Sequence, residues 1–173
     1  MLCSFCHVKK ETVPRIMCSC SAITQTLCTA RHDRMLRSVY YAILRTLGIT
    51  NNEEDETIRW YRDLQPKCCV KTNVVKVLRN IPLHLDVVPK DGANKPNIAI
   101  CNKKERQWLK FEGTVCNIGQ IQKRDKLKTE KYADLRASLK TLYPGYNVIQ
   151  VNLVFDFLSG YHKELIHKQC RTL

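Results

Sequence analysis

The chain has 173 residues, of which 44% are hydrophobic, and its 29 Lys and Arg against 16 Asp and Glu give a formal charge of +13. This length and apolar content are enough for one domain with a small appendage, while polar residues interrupt every apolar run and exclude a membrane span. The positive charge indicates a polyanionic partner, nucleic acid ahead of an acidic membrane surface.

The first 28 residues are rich in cysteine and short on hydrophobic periodicity. Cys3 and Cys6 have the two-residue spacing that places two thiolates on one tetrahedral zinc ion, and Cys18 and Cys20 follow as a second pair. This pattern predicts a zinc module at residues 1–28, with free thiols as the alternative. The five later cysteines are expected to be ordinary buried thiols, so the chain is assigned to a reducing, intracellular compartment.

From residue 29 onwards the pattern predicts a second domain, at residues 29–173, with alternating strands and helices. An apolar period of three and four residues predicts a helix over 31–47, and Val- and Ile-rich runs predict strands. The acidic stretch 50–57 is predicted to be a loop and 89–96 a turn. The other predicted elements are a strand or hairpin arm at 73–85, strands at 98–100, 108–115 and 148–157, and helices at 118–142 and 161–168. This order predicts a mixed α/β sheet flanked by helices, with the 108–115 strand in its centre.

Several short motifs resemble one known family. They are CSFC at 3–6, CSC at 18–20, RHDRML at 31–36, KPNIAI at 95–100 and LKFEGTVC at 109–116. Their sequence and order resemble the C-terminal region of site-specific non-LTR retrotransposon polyproteins. In that family a reverse transcriptase is followed by a CCHC zinc knuckle and a restriction-like endonuclease of the PD-(D/E)XK class. The resemblance therefore implies a nuclease-like mixed sheet with a small zinc knuckle before it.

The knuckle of that family, laid on this chain, implies Cys3, Cys6 and Cys20 as ligands of Zn²⁺. The position expected to hold the histidine ligand is Arg15. A guanidinium donates hydrogen bonds only and cannot ligate a metal. The fourth ligand is therefore expected to be missing or supplied by His7 or Cys18, which would make zinc binding weaker.

The endonuclease motif implies Asn97 and Glu112 as the pair that holds Mg²⁺ or Mn²⁺. Two neighbouring strands can place one oxygen ligand each over the same end of a sheet. Asn97 stands where the family has an aspartate, so metal binding and cutting are expected to be impaired. Thr114 occupies the usual place of the catalytic lysine, and the role is expected to pass to Lys131 or, second, Lys128. The alternative is that these helix lysines contact DNA phosphates.

The resemblance also implies double-stranded DNA as a partner, element RNA as a second one, and a nuclear location. Between positions 100 and 140 eleven basic and five acidic side chains give this segment a charge of +6, which favours contact with phosphates. The RHD motif is expected either to face DNA or to link knuckle and nuclease. The candidate DNA-binding residues are Arg31, His32, Lys95, Lys123 and Arg124. The predicted function is a DNA-nicking endonuclease domain, weakened in this chain, and the alternative is an inactive DNA-binding zinc module.

Overall fold

The computed structural model describes residues 1–49, 66–85 and 93–156. The predicted acidic loop at 50–57, the predicted helix at 161–168 and residues 89–92 of the predicted turn at 89–96 lie outside these residues. The helices are α1 (Val13–Ser19), α2 (Thr29–Thr46), α3 (Ile121–Lys131) and α4 (Ala133–Leu142). The strands are β1 (Cys69–Lys71), β2 (Val75–Arg79), β3 (Ile98–Asn102), β4 (Gln107–Cys116) and β5 (Asn147–Asp156). Within these ranges no helix has the length and hydropathy needed to cross a membrane.

The five strands form one mixed sheet in the order β1-β2-β3-β4-β5. The first four pair antiparallel, whereas β4 and β5 pair in parallel over ten residues. The predicted mixed α/β sheet flanked by helices is therefore confirmed. The prediction that β4 is central is wrong, because the β1–β2 hairpin adds two strands beyond β3 and leaves β4 fourth of the five described. The three-residue β1 is too short to give a periodic signal in the sequence.

Helix α2 covers one face of the sheet with side chains four residues apart. Its buried residues Leu36, Tyr40 and Leu44 pack on the apolar side chains of β2 and β3 that alternate toward this face. The helix ends at Gly48, which has φ +63°. Gly48 N–H donates to Arg45 C=O and Ile49 N–H donates to Leu44 C=O, each at 3.0 Å, which is a Schellman C-cap.

Helices α3 and α4 cover the opposite face, called here the α3–α4 face. The sequence predicts one helix over 118–142, but Tyr132, with φ −106° and ψ 17°, separates α3 from α4. In a single straight helix over 118–142, the apolar side chains would not all face the sheet. The break at Tyr132 instead lets Tyr132, Leu135 and Leu139 all pack in one cluster against the sheet.

Candidate functional site

Three of the sequence motifs meet at Gly113 in β4. The Asn97 side-chain oxygen accepts a hydrogen bond from Gly113 N–H at 2.8 Å. On the other side His32 Nε2 lies 3.3 Å from Gly113 C=O, and His32 Nδ1 lies 3.0 Å from Asp33 Oδ1. A Cβ atom at Gly113 would lie 2.8 Å from the ends of Leu36 and Met35, so the absent side chain lets α2 approach β4 closely.

Asn97 and Glu112 lie near the same end of the sheet. Asn97 directly precedes β3, and Glu112 directly follows Phe111, the β4 partner of the first β3 residue Ile98. Residues two apart on a strand share a face. Glu112 therefore shares the α3–α4 face with Lys110 and Trp108, which packs against α4.

Glu112 is completely buried and lies among cations. Lys128 of α3 places its Nζ atom 3.6 Å from Glu112 Oε2. Burial raises the pKa of the Glu112 carboxyl, and the charges of Lys128 and Lys110 together with the Tyr132 hydroxyl act in the opposite direction. Burial likewise lowers the pKa of Lys128, against the attraction of Glu112. A buried carboxylate is stable in the protein only when such partners compensate the loss of water.

Lys110 is the main site residue that sequence reasoning missed. It is 1% exposed, and its Nζ atom lies 4.2 Å from the centroid of the Tyr132 ring, with no hydrogen-bond partner among the described residues. Burial lowers the pKa of Lys110 to about 7, while Glu112 opposes this change. The period of two in β4 places residue 110 on the same face as Glu112, which was the signal available in the sequence.

The residues around Glu112 do not fit a Mg²⁺ or Mn²⁺ ion. Hard divalent cations need several anionic or neutral oxygen ligands. In the described parts of the chain, no group of three or more acidic or imidazole ligands forms around Glu112. The Asn97 oxygen already accepts from Gly113 N–H, and the nearest charges to Glu112 are ammonium groups.

A set of side-chain amides on β5 holds α3 over this site. Asn152 Nδ2 lies 2.9 Å from Asp125 Oδ1 and 2.8 Å from Thr129 Oγ1, and Gln150 Nε2 donates to Lys128 C=O at 3.0 Å. These contacts substitute for apolar packing, since Ile121 is the buried residue of α3. They position Lys128 beside Glu112. The other proposed catalytic lysine, Lys131, is exposed, with its Nζ atom 5.3 Å from the Tyr132 ring centroid.

A cleft of about 490 Å³ opens beside Lys128, where the N-terminal module, α2, β4 and α3 meet. Its lining includes the cations Arg31, Arg124 and Lys128, together with His32 and the carboxylate of Asp33. Arg31 Nη1 also donates to Met17 C=O at 3.2 Å, which ties α2 to the N-terminal module. Of the predicted DNA-binding residues, Arg31, His32 and Arg124 therefore line one cleft, whereas the exposed Lys95 and Lys123 are not among the residues that line it.

The second site is a thiol cluster in the N-terminal module. The sulfur atoms of Cys3, Cys6 and Cys20 all lie within 4.8 Å of one another, and Cys3 Sγ is 3.7 Å from Cys20 Sγ. In the described residues this is the one group of three or more His, Cys, Asp or Glu side chains placed to hold a single metal ion. Three thiolates at this separation suit a soft ion such as Zn²⁺. The prediction that these three cysteines converge is confirmed.

Arg15 occupies the remaining side of the thiol cluster. Its Nη2 atom donates to Cys6 Sγ at 3.0 Å, and its Nη1 atom donates to Lys10 C=O at 3.2 Å. The backbone N–H of Val8, followed by Arg15, lowers the pKa of the Cys6 thiol to about 6. Neither candidate for the fourth ligand, His7 nor Cys18, belongs to the cluster: Cys18 lines the cleft instead.

No protein-family model, curated protein or solved structure matches this chain.

Proposed function

We propose that this chain is the DNA-binding, restriction-like endonuclease region of a non-LTR retrotransposon polyprotein, and that it binds DNA without cutting it efficiently. The observation that supports the proposal most is the cleft in which Arg31, Arg124 and Lys128 come together. Phosphate oxygens are the groups that such a set of cations recognises, and the charge of +13 extends the attraction beyond the cleft.

The zinc knuckle belongs to the same proposal. The thiol cluster would hold Zn²⁺ through Cys3, Cys6 and Cys20, and the Arg31–Met17 hydrogen bond joins this module to the start of α2. The module would thus form one wall of the cleft that receives the DNA backbone. The partner is double-stranded DNA in the nucleus. The RNA of the retrotransposon, which presents the same phosphate groups, is a second partner.

Quantitative DNA binding with matched variants tests this function. Arg124→Gln removes a cleft cation and should weaken binding to a short duplex at low salt by roughly fivefold to tenfold. Arg45→Gln removes an exposed arginine near the C-terminal end of α2, away from the cleft. It should change the affinity for the same duplex less than twofold. Equal effects of the two substitutions would show that the cleft is not the contact surface.

A nicking endonuclease is the second candidate, because Asn97 and Glu112 lie near the same end of the sheet. A supercoiled-plasmid assay with Mg²⁺ or Mn²⁺ distinguishes the two functions. We expect no nicking above that of a Glu112→Gln control. Nicking by the native chain that Glu112→Gln abolishes would favour the endonuclease.

A further inference from the structure

The charge balance around Glu112 carries an inference about how the cleft binds its ligand. Glu112 has no exposed surface, and the charges of two lysines from different elements act on its carboxyl group. Lys110 comes from the same strand two residues earlier, and Lys128 comes from α3 at 3.6 Å. Both lysines are held in place, Lys110 by the Tyr132 ring at 4.2 Å and Lys128 by the contact of its own carbonyl with Gln150.

A divalent cation beside Glu112 would have to sit among these ammonium groups. Positive charges at such short separations repel strongly in a partly buried site. Among the described residues, Glu112 is the one carboxylate that contacts or acts on these lysines, so no second carboxylate there offsets the repulsion. Lys110 has 1% exposure and cannot swing into solvent without unpacking from Tyr132.

We infer that the ammonium groups of Lys110 and Lys128 supply, beside Glu112, the positive charge that a divalent metal ion supplies in a metal-dependent nuclease. The cleft therefore binds a DNA phosphodiester without a divalent ion. Lys128 is the group that connects the two environments, because it contacts Glu112 and also lines the cleft with Arg124 and Arg31. Glu112 and Lys110 position Lys128, and the ammonium of Lys128 meets the phosphate. This inference rests on the proposed DNA-binding function for the identity of its ligand.

Titration of Mn²⁺ into the zinc-loaded chain, followed by the electron paramagnetic resonance signal of the free ion, tests the inference directly. The native chain and Glu112→Gln should give superimposable titrations. Stoichiometric Mn²⁺ binding by the native chain that Glu112→Gln removes would overturn the inference.

Duplex binding in metal-stripped buffer, compared with Mg²⁺ buffer of the same ionic strength, provides the second readout. The stripped buffer contains no chelator, so the thiol-bound zinc is retained. Affinities should agree within about twofold, because the contacts are between fixed cations and phosphates. A tenfold or larger gain with Mg²⁺ would overturn the inference. Failure to bind DNA in either buffer would instead overturn the proposed function, while the Mn²⁺ titration still decides whether the lysines exclude the metal.

Discussion

At each of the two candidate sites, one side chain at a predicted metal-ligand position changes what the site can bind. These side chains are Arg15 and Asn97. Arg15, at a position predicted to hold a metal ligand, donates to Cys6 Sγ. A cation therefore lies beside the three thiols. Near Glu112, the Asn97 side-chain oxygen accepts a hydrogen bond from Gly113 N–H. In both cases the side chain at a predicted ligand position makes a specific contact within the protein.

Arg15→His should strengthen zinc binding. The substitution adds an imidazole nitrogen to three thiolates and removes the nearby positive charge, so a closed tetrahedral site can form. We expect affinity to rise by roughly tenfold or more, the size of effect that a single partner around a metal site commonly has. Chelator competition measures it. Arg15→Gln, which removes the charge without adding a ligand, is the control, and an equal gain from it would contradict the ligand argument.

Gly113→Ala should destabilise the fold. Its Cβ atom would lie 2.8 Å from Leu36 Cδ2 and from Met35 Cε, so both side chains must shift, and the buried Leu36 has little room to do so. Overpacking of this kind costs about 1–3 kcal/mol of unfolding free energy. Urea denaturation provides the measurement. Gly119→Ala, where the nearest atom is 4.0 Å away, should change stability by no more than about 0.5 kcal/mol. Similar losses in both variants would rule out a special role for close packing at Gly113.

Lys110→Met should change how stability depends on pH. Burial lowers the pKa of Lys110 from 10.5 to about 7, so between these values the unfolded chain binds more protons at this group than the folded chain. The native free energy of unfolding should therefore rise with pH across this window, and Lys110→Met should remove that part of the rise. Denaturation at several pH values between 7 and 10 compares the slopes. Lys140→Met, at an exposed position of α4, should keep the native slope. A native slope in Lys110→Met would show that Lys110 titrates normally.

At the scale of whole elements, α3 is held to the sheet by polar contacts. Most of its side chains are charged or polar, and Asn152 and Gln150 of β5 bind its backbone and side chains. The helix presents Lys128 to Glu112 because these amides fix its position. Helix α2 follows the opposite principle, since its stripe of Leu36, Tyr40 and Leu44 packs on an apolar sheet face. The amphipathic period of α2 is consequently clear in the sequence, while that of α3 is weak.

Asn152→Ala should loosen α3 without unfolding the sheet. Removing the amide removes its hydrogen bonds to Asp125 and Thr129, each of which contributes about 0.5–1.5 kcal/mol. Hydrogen exchange should show faster exchange of the α3 amides, with the strand amides protected as before. Asn147→Ala, at the exposed start of β5, is the matched control and should leave exchange unchanged. Unchanged protection of α3 in Asn152→Ala would mean that the amide contacts do not hold the helix.

At the scale of the whole molecule, the basic charge and the cleft both favour the proposed DNA ligand. A charge of +13 would attract a polyanion from a distance, and arginine and lysine side chains from α2 and α3 line the same cleft. The N-terminal module contributes Met17 and Cys18 to the same cleft. A ligand bound there contacts the thiol-cluster module and the sheet domain at once.

DNA affinity should fall steeply with salt. Each phosphate contact releases condensed counterions, so log K falls linearly with log salt concentration. Between about 50 and 200 mM salt the affinity should fall at least tenfold, and Arg124→Gln should reduce the slope by about one unit. Fluorescence anisotropy with a short duplex measures both quantities. A slope near zero would show that the positive charge of the chain does not carry the binding.

Local patterns in the sequence were sufficient to predict several elements. Apolar patterns predicted α2, β3, β4 and β5, the cysteine spacing predicted a zinc module, and the resemblance to a zinc knuckle singled out Cys3, Cys6 and Cys20. The short strand β1, the break at Tyr132 and the place of β4 in the sheet depend on contacts between distant segments, so they could be read only from the folded chain. The same holds for the functional site. Lys110 appears in the sequence as one more surface cation, and burial beside Glu112 under Tyr132 gives it a different role, because the environment of an ionisable group is set by packing.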